Sequence, residues 1–208
     1  GPITITVDDL TIESPEGYSE TLQMALLFAE EQRLTLTGAG DVDVIGGEID
    51  DIVEGSEGEN DIDGEGGRDF IRGNGGDDDI SGGEGVDTLS GNAGDDIVRG
   101  GDEGDRVIGG GGEDTLAGND GDDLIRGGVD NARLFGGSGN DTLAGNEGND
   151  TLYGSTGDDA LFGGADDDDL RGEAGNDTQR GGTGNDIMRG GDEADELIGA
   201  SGKDTHVG

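Results

Sequence analysis

Aspartate recurs at every ninth residue over most of this chain. With Gly46 as the first residue of a nine-residue unit, eighteen consecutive units run to Val207 without insertion or deletion. The sixth residue is Asp in sixteen of the eighteen. If each unit supplies one strand and one turn, a coil of two strands and two turns takes two units. Residues eighteen apart then stack at the strand spacing of about 4.8 Å. The acids fall into two columns. One holds Asp51, Asp69, Asp87, Asp105, Asp123, Asp141, Asp159, Asp177 and Asp195. The other holds Asn60, Asp78, Asp96, Asp114, Ala132, Asp150, Asp168, Asp186 and Asp204. Carboxylates stacked about 5 Å apart repel by several kcal/mol at an intermediate dielectric. A cation between them makes the stack tolerable. Oxygen ligands without Cys or His specify a hard ion. Irregular loops favour Ca2+ over Mg2+, which demands a near-ideal octahedron. One Asp in a glycine turn is ordinary turn chemistry. Turn chemistry does not demand the same acid at the same position in sixteen units.

The elements that must hold these acids follow from the rest of the unit. Position 8 is aliphatic in sixteen units, from Val53 and Ile62 to Met188 and Leu197. In a strand over positions 7 to 9, alternation sends position 8 to one face and its neighbours to the other. Position 8 is therefore the core, and positions 7 and 9 face solvent. The arginines at position 9 (Arg72, Arg99, Arg126, Arg171, Arg180, Arg189) read as partners for nearby acids. Positions 1 to 6 read as the turn, with glycines allowing positive φ. Position 1 is always Gly, and position 4 is Gly in thirteen units. Glu103 and Glu193 stand at position 4, so the turns at Gly100 to Asp105 and Gly190 to Asp195 are expected to differ. Gln179 replaces an aliphatic at position 8 and is expected to be a buried defect.

Residues 1 to 45 depart from the frame and read as an N-terminal cap for the open end of a solenoid. Ile3, Ile5 and Val7 alternate as in a strand. Ser14-Pro15 reads as a helix start, and Tyr18, Leu22, Ala25, Leu26 and Ala29 follow helical spacing to about Gln32. Leu34 and Leu36 return to strand alternation, and Gly38 to Ile45 reads as a degenerate first coil.

Composition narrows the function classes. The chain has 208 residues, a net charge of −41 and 28% hydrophobic residues, and would read as disordered without its period. So acidic a chain excludes nucleic acid as a partner. No run of about 18 apolar residues could span a membrane. There is no Cys for disulfides or thiolate metal sites. Gly1-Pro2 reads as a protease-cleavage scar, so the remainder of a larger polypeptide is expected. No HExxH, G-x-S-x-G or Cys nucleophile occurs, so the chain is not expected to be an enzyme. The single His, His206, falls at a core position of the last unit without catalytic partners. No residue type repeats every eighteen positions as an ice-binding ladder would need, although Phe135 and Tyr153 stack on one face.

Four units, GGEGVDTLS, GGGGEDTLA, GGSGNDTLA and GGTGNDIMR, show the pattern in full, and their frame resembles the RTX (hemolysin-type) calcium-binding nonapeptide repeat. The resemblance covers about four fifths of the chain. It implies an all-β, right-handed parallel β-roll over residues 46–208. It also implies Ca2+ between turns of successive coils, held by the sixteen position-6 aspartates and by turn carbonyls. Counting gaps between neighbouring Asp residues gives about thirteen ions. Family members are secreted or cell-surface proteins, which implies an extracellular setting. The role expected is a calcium-binding module of a larger protein. The alternatives are the non-catalytic C-terminal part of a type I secreted enzyme or toxin, and an adhesive segment for a protein or glycan.

Overall fold

The computed structural model describes residues 10–14, 20–23 and 32–208. These residues form strands and turns only. The strands are β1 (Leu10–Ser14), β2 (Glu20–Gln23), β3 (Gln32–Gly38), β4 (Val42–Gly47), β5 (Asp51–Glu54), β6 (Asn60–Glu65) and one strand per nonapeptide thereafter. Odd-numbered strands make one 11-stranded sheet and even-numbered strands the other. All pairs are parallel, and the register is eighteen residues through the repeats, as in Val98↔Leu116 and Leu116↔Leu134. The chain is an all-β parallel solenoid.

Alternation places the core where the sequence put it. Position-8 residues such as Ile71, Leu89, Leu116 and Leu143 are 0% exposed, and they form one continuous apolar column between the sheets. Positions 7 and 9 lie outside it. Strands are longer than expected, however. Most run six residues, over positions 7, 8, 9, 1, 2 and 3, as in Arg133–Ser138. The turn shrinks to positions 4 to 6. The inward set is therefore 6, 8 and 1, so each strand directs one Asp, one aliphatic and one Gly at the interior. Position 2 takes a left-handed backbone, with φ 121° at Gly137 and 79° at Asn119, which suits Gly and Asn there.

The N-terminal helix is overturned where the structure describes it. Glu20–Gln23 is a strand, with Leu22 opposite Val44. Ser14 is the last residue of β1, opposite Gly38, rather than a helix cap. The first open coil offers unpaired edge groups to any nearby chain, and that pairing overrides the helical spacing of the apolar residues. The rest of the expected helix, and the strand at Ile3 to Val7, lie outside the described residues. The strand at Leu34 and Leu36 is present as β3.

Gln179 is 0% exposed, between Leu161 and Leu197 in the position-8 column. Its Nε2 donates to the Arg189 carbonyl oxygen at 2.6 Å, reaching across to the other sheet. Its Oε1 has no donor. The defect is thus half repaired. Gln179→Leu is expected to remove the orphaned oxygen and gain apolar burial, offset by the lost bond at Arg189, for a net gain of about 1 kcal/mol. Thermal unfolding in saturating calcium measures this. A lower melting temperature would show that the bond to Arg189 outweighs the orphan.

Candidate metal centre

Alternation turns the position-6 carboxylates inward, and the burial is near complete: Asp51 and Asp186 are 0% exposed, Asp141 1%. Only Asp195 and Asp204, in the last coil, are half-buried. The structure brings each set into the column expected. In each pair of successive coils except the one ending at Ala132, the later Asp accepts through Oδ1 the backbone N–H of the residue eighteen earlier. Asp123 N donates to Asp141 Oδ1 at 2.8 Å, and Asp141 N to Asp159 Oδ1 at 2.8 Å. The first column is linked this way without interruption from Asp51 to Asp195.

The second carboxylate oxygen is left over. Oδ2 is buried without a hydrogen-bond partner in thirteen aspartates from Asp69 to Asp186, and in Asp51 it is Oδ1. A buried anionic oxygen with no donor is costly unless a cation meets it. The position-1 glycine makes the space. A Cβ added to Gly136 would stand 2.3 Å from Asp141 Oδ2 and 2.6 Å from the Gly154 carbonyl oxygen. At Gly145 the same two distances, to Asp150 Oδ2 and Gly163 O, are 2.1 and 2.7 Å. A carboxylate oxygen and a carbonyl of the next coil thus converge on a bare glycine face. Position 4 completes the turn by left-handed backbone, with φ 126° at Gly139. Among the described residues no three acid or His side chains gather as a metal group. Carbonyl oxygens have to complete any shell, and such an all-oxygen set fits Ca2+.

Burial dominates the electrostatics. It pushes Asp69 and Asp168 up to about 8, Asp96, Asp105 and Asp159 to about 7, and Asp51, Asp78, Asp114, Asp123 and Asp150 to about 6. Asp87, Asp141, Asp177 and Asp186 are raised for the same reason. Hydrogen bonds to each carboxylate oppose the rise, mostly through the amide of the preceding coil, and neighbouring acids such as Asp51 and Asp87 around Asp69 add to it.

The two irregular members of the second column differ. Asn60 Nδ2 donates to Asp78 Oδ1 at 2.8 Å and to Gly58 O at 2.6 Å, so an amide takes up oxygens that a cation would draw on. At Ala132 the ladder breaks. Ala132 N still donates to Asp150 Oδ1 at 2.7 Å, but the Asp114 amide has no acceptor in the coil that follows. A cavity of about 260 Å3 opens there beside Asp114, Asn131, Ala132 and Arg133.

The turns with Glu at position 4 keep their hand. Glu103 and Glu193 have φ of 68° and 75°, shifted from the glycine value but still left-handed. Asp105 keeps its place, accepting from Asp87 N at 2.8 Å. The expected change is confined to that dihedral. Glu103 Oε2 and Glu193 Oε2 instead accept the position-4 amides of the preceding coil, Gly85 and Gly175. The turn that does differ is at Asp130, which is outside the left-handed region.

Sequence reasoning missed position 5. Asp or Asn there accepts the position-5 amide of the following coil through Oδ1, as in Asp122 from Asn140 N at 2.7 Å and Asp158 from Asn176 N at 2.8 Å. The signal was available: position 5 is Asp or Asn in eleven units. Four of the six position-9 arginines, Arg72, Arg99, Arg171 and Arg189, do reach an acid. Phe135 and Tyr153 stack at 5.0 Å with 3° between planes.

A family model described as RTX calcium-binding nonapeptide repeat (4 copies) matches residues 45–80, 72–107, 99–134, 108–143, 144–179 and 171–205. No curated protein matches the sequence.

Proposed function

Since the chain belongs to the RTX calcium-binding nonapeptide repeat family, we propose that it is a calcium-dependent folding module of a larger secreted or cell-surface protein. Its role is structural rather than catalytic. The single observation that carries this reading is the file of buried carboxylate oxygens without donors, most of them aimed at a glycine face that a neighbouring carbonyl shares. The ligands are the sixteen aspartates at position 6, with turn carbonyls from the adjacent coil. Residues 1–45 serve as the cap and 46–208 as the roll. Extracellular calcium, far more abundant than cytosolic, fits a module that folds only where it is exported.

The number of ions follows from the columns. The first column offers eight gaps between neighbouring Asp residues. The second loses the two gaps beside Ala132 and weakens the one between Asn60 and Asp78, leaving five. The total is about thirteen, because calcium affinity falls as charged ligands are lost. Titration of calcium-depleted protein, with bound metal counted after dialysis, tests the reading. About thirteen ions are expected, and Ala132→Asp should add up to two. An unchanged count in Ala132→Asp would show that turn carbonyls, rather than the Asp column, decide where calcium binds. A count near zero in the parent chain would refute the function itself.

A further inference from the structure

The two outer faces of the solenoid differ in a way that the calcium sites do not explain. Each strand turns three residues outward, at positions 7, 9 and 2. On the sheet of even-numbered strands these include Asp61, Asp63, Glu65, Asp79, Asp169 and Glu173. That face neutralises three of its own four arginines, all but Arg133. Arg99 pairs with Asp79, and Arg171 and Arg189 share Asp169. The other sheet does the opposite. Over its seven strands from Phe70–Gly75 to Thr178–Thr183, none of the residues at positions 7, 9 and 2 is an acid, and the one acid within those strands, exposed Glu147, stands at position 3 on the strip's edge. A quarter of the chain is acidic, 52 of 208 residues, so an acid-free strip of this length is a marked exclusion. Four exposed arginines stand on it: Arg72, Arg106, Arg126 and Arg180. Arg72 lies 4.0 Å from Glu54, just below the strip. Arg106, Arg126 and Arg180 make no ion pair among the described residues.

The strip has shape as well as charge. Seven strands at about 4.8 Å give a flat surface about 29 Å long. Between Arg72 and Arg106 it dips into a depression of about 370 Å3, floored by Thr88 and Ser90 and flanked by Asn74 and Asn92. Guanidinium groups grip carboxylates and sulfates, often bidentately. Hydroxyls and amides beside them match sugar hydroxyls.

We infer that the outer face of the odd-numbered sheet binds a linear acidic polysaccharide, one charged sugar seating between Arg72 and Arg106 and the chain running along the strands' stacking direction past Arg126 towards Arg180. Charge complementarity is local. A thin chain can lie on the strip and keep clear of the acidic turns on either side. A second copy of this protein would bring its whole net charge of −41 against another, which disfavours it as the occupant. This inference goes beyond the calcium reading and uses none of its ligands.

The test is a titration of the calcium-saturated chain with a chondroitin sulfate hexasaccharide, against neutral maltohexaose, with light scattering in parallel. Strand signal in calcium is recorded first for each variant, so loss of the roll is told apart from loss of the surface. The charged oligosaccharide is expected to bind, more weakly as salt rises, and the neutral one not to bind. Arg106→Ser with Arg126→Ser should weaken binding at least about tenfold. If that pair does not fold, Arg180→Ser serves in its place, with a smaller loss. Arg133→Ser, removing an unpaired arginine from the opposite face, should change nothing. No binding, equal binding of maltohexaose, or an equal loss in Arg133→Ser would overturn the inference. So would a doubled mass without oligosaccharide that the double variant abolishes, since the occupant would then be a second copy.

Discussion

Withdrawing calcium at neutral pH is expected to abolish the strand signal of residues 46–208. The apolar core is one side chain wide, a single position-8 residue per strand. Against it stands a net charge of −41. Thirteen divalent ions would bring +26 and leave −15. Without them the roll holds two files of buried oxygens with no donor. An ion that binds only the folded state stabilises it by about 2.7 kcal/mol per site at a hundred times its dissociation constant. Several such sites exceed the total stability of an ordinary domain, about 5–15 kcal/mol. The metal is then part of the fold, and binding and folding are one transition. Far-UV circular dichroism of the chelated chain at pH 7.5 checks this. Undiminished strand signal there would refute it.

Acid is expected to restore what chelation removes. Fourteen buried aspartates have folded-state pKa values raised by burial, many to about 6 to 8, against 3.8 for a free side chain. The calcium-free fold therefore binds more protons than the unfolded chain between about pH 4 and pH 8. Stability falls with rising pH wherever the folded state holds the extra protons. The full electrostatic penalty applies above about pH 8, shrinks as pH falls through the folded values, and is gone below about 4. Calcium-depleted protein should be unfolded at pH 8 and gain strand signal near pH 5. The same protons compete with the metal, so apparent calcium affinity should drop as pH falls from 8 to 6. A calcium-free chain equally unfolded at pH 5 and pH 8, in dilute solution without precipitation, would show that the carboxylates are not what holds it open.

The roll was readable because its period makes one inference hold eighteen times. A Leu at position 8 in one unit proves little. The same residue at Leu116, Leu134, Leu143 and Leu152 fixes both the alternation and the register. The acid columns followed from that register alone. What escaped were features outside the period or dependent on hydrogen bonds to another coil. Leu22 belongs to a strand because Val44 lies opposite it, and nothing local to residues 18–32 encodes that partner. Gln179 looked like an unrelieved defect because its partner, the Arg189 carbonyl, sits on the opposite sheet. Glu103 was expected to disturb its turn, yet it keeps the left-handed backbone and its side chain takes the Gly85 amide.

The break at Ala132 has a mechanical consequence. Elsewhere in the second column from Asp78 to Asp204, each coil boundary is stitched by an amide donating forward to the carboxylate of the next coil. Between Asp114 and Ala132 that stitch is missing, a cavity replaces it, and the strand leading into the turn, Leu124–Gly128, is one residue shorter than most. A solenoid pulled from its two ends carries tension through every boundary in series. It yields at the one with the fewest stitches. The roll is therefore a spring with a fault line near its middle, able to part into two blocks of coils before either block unravels.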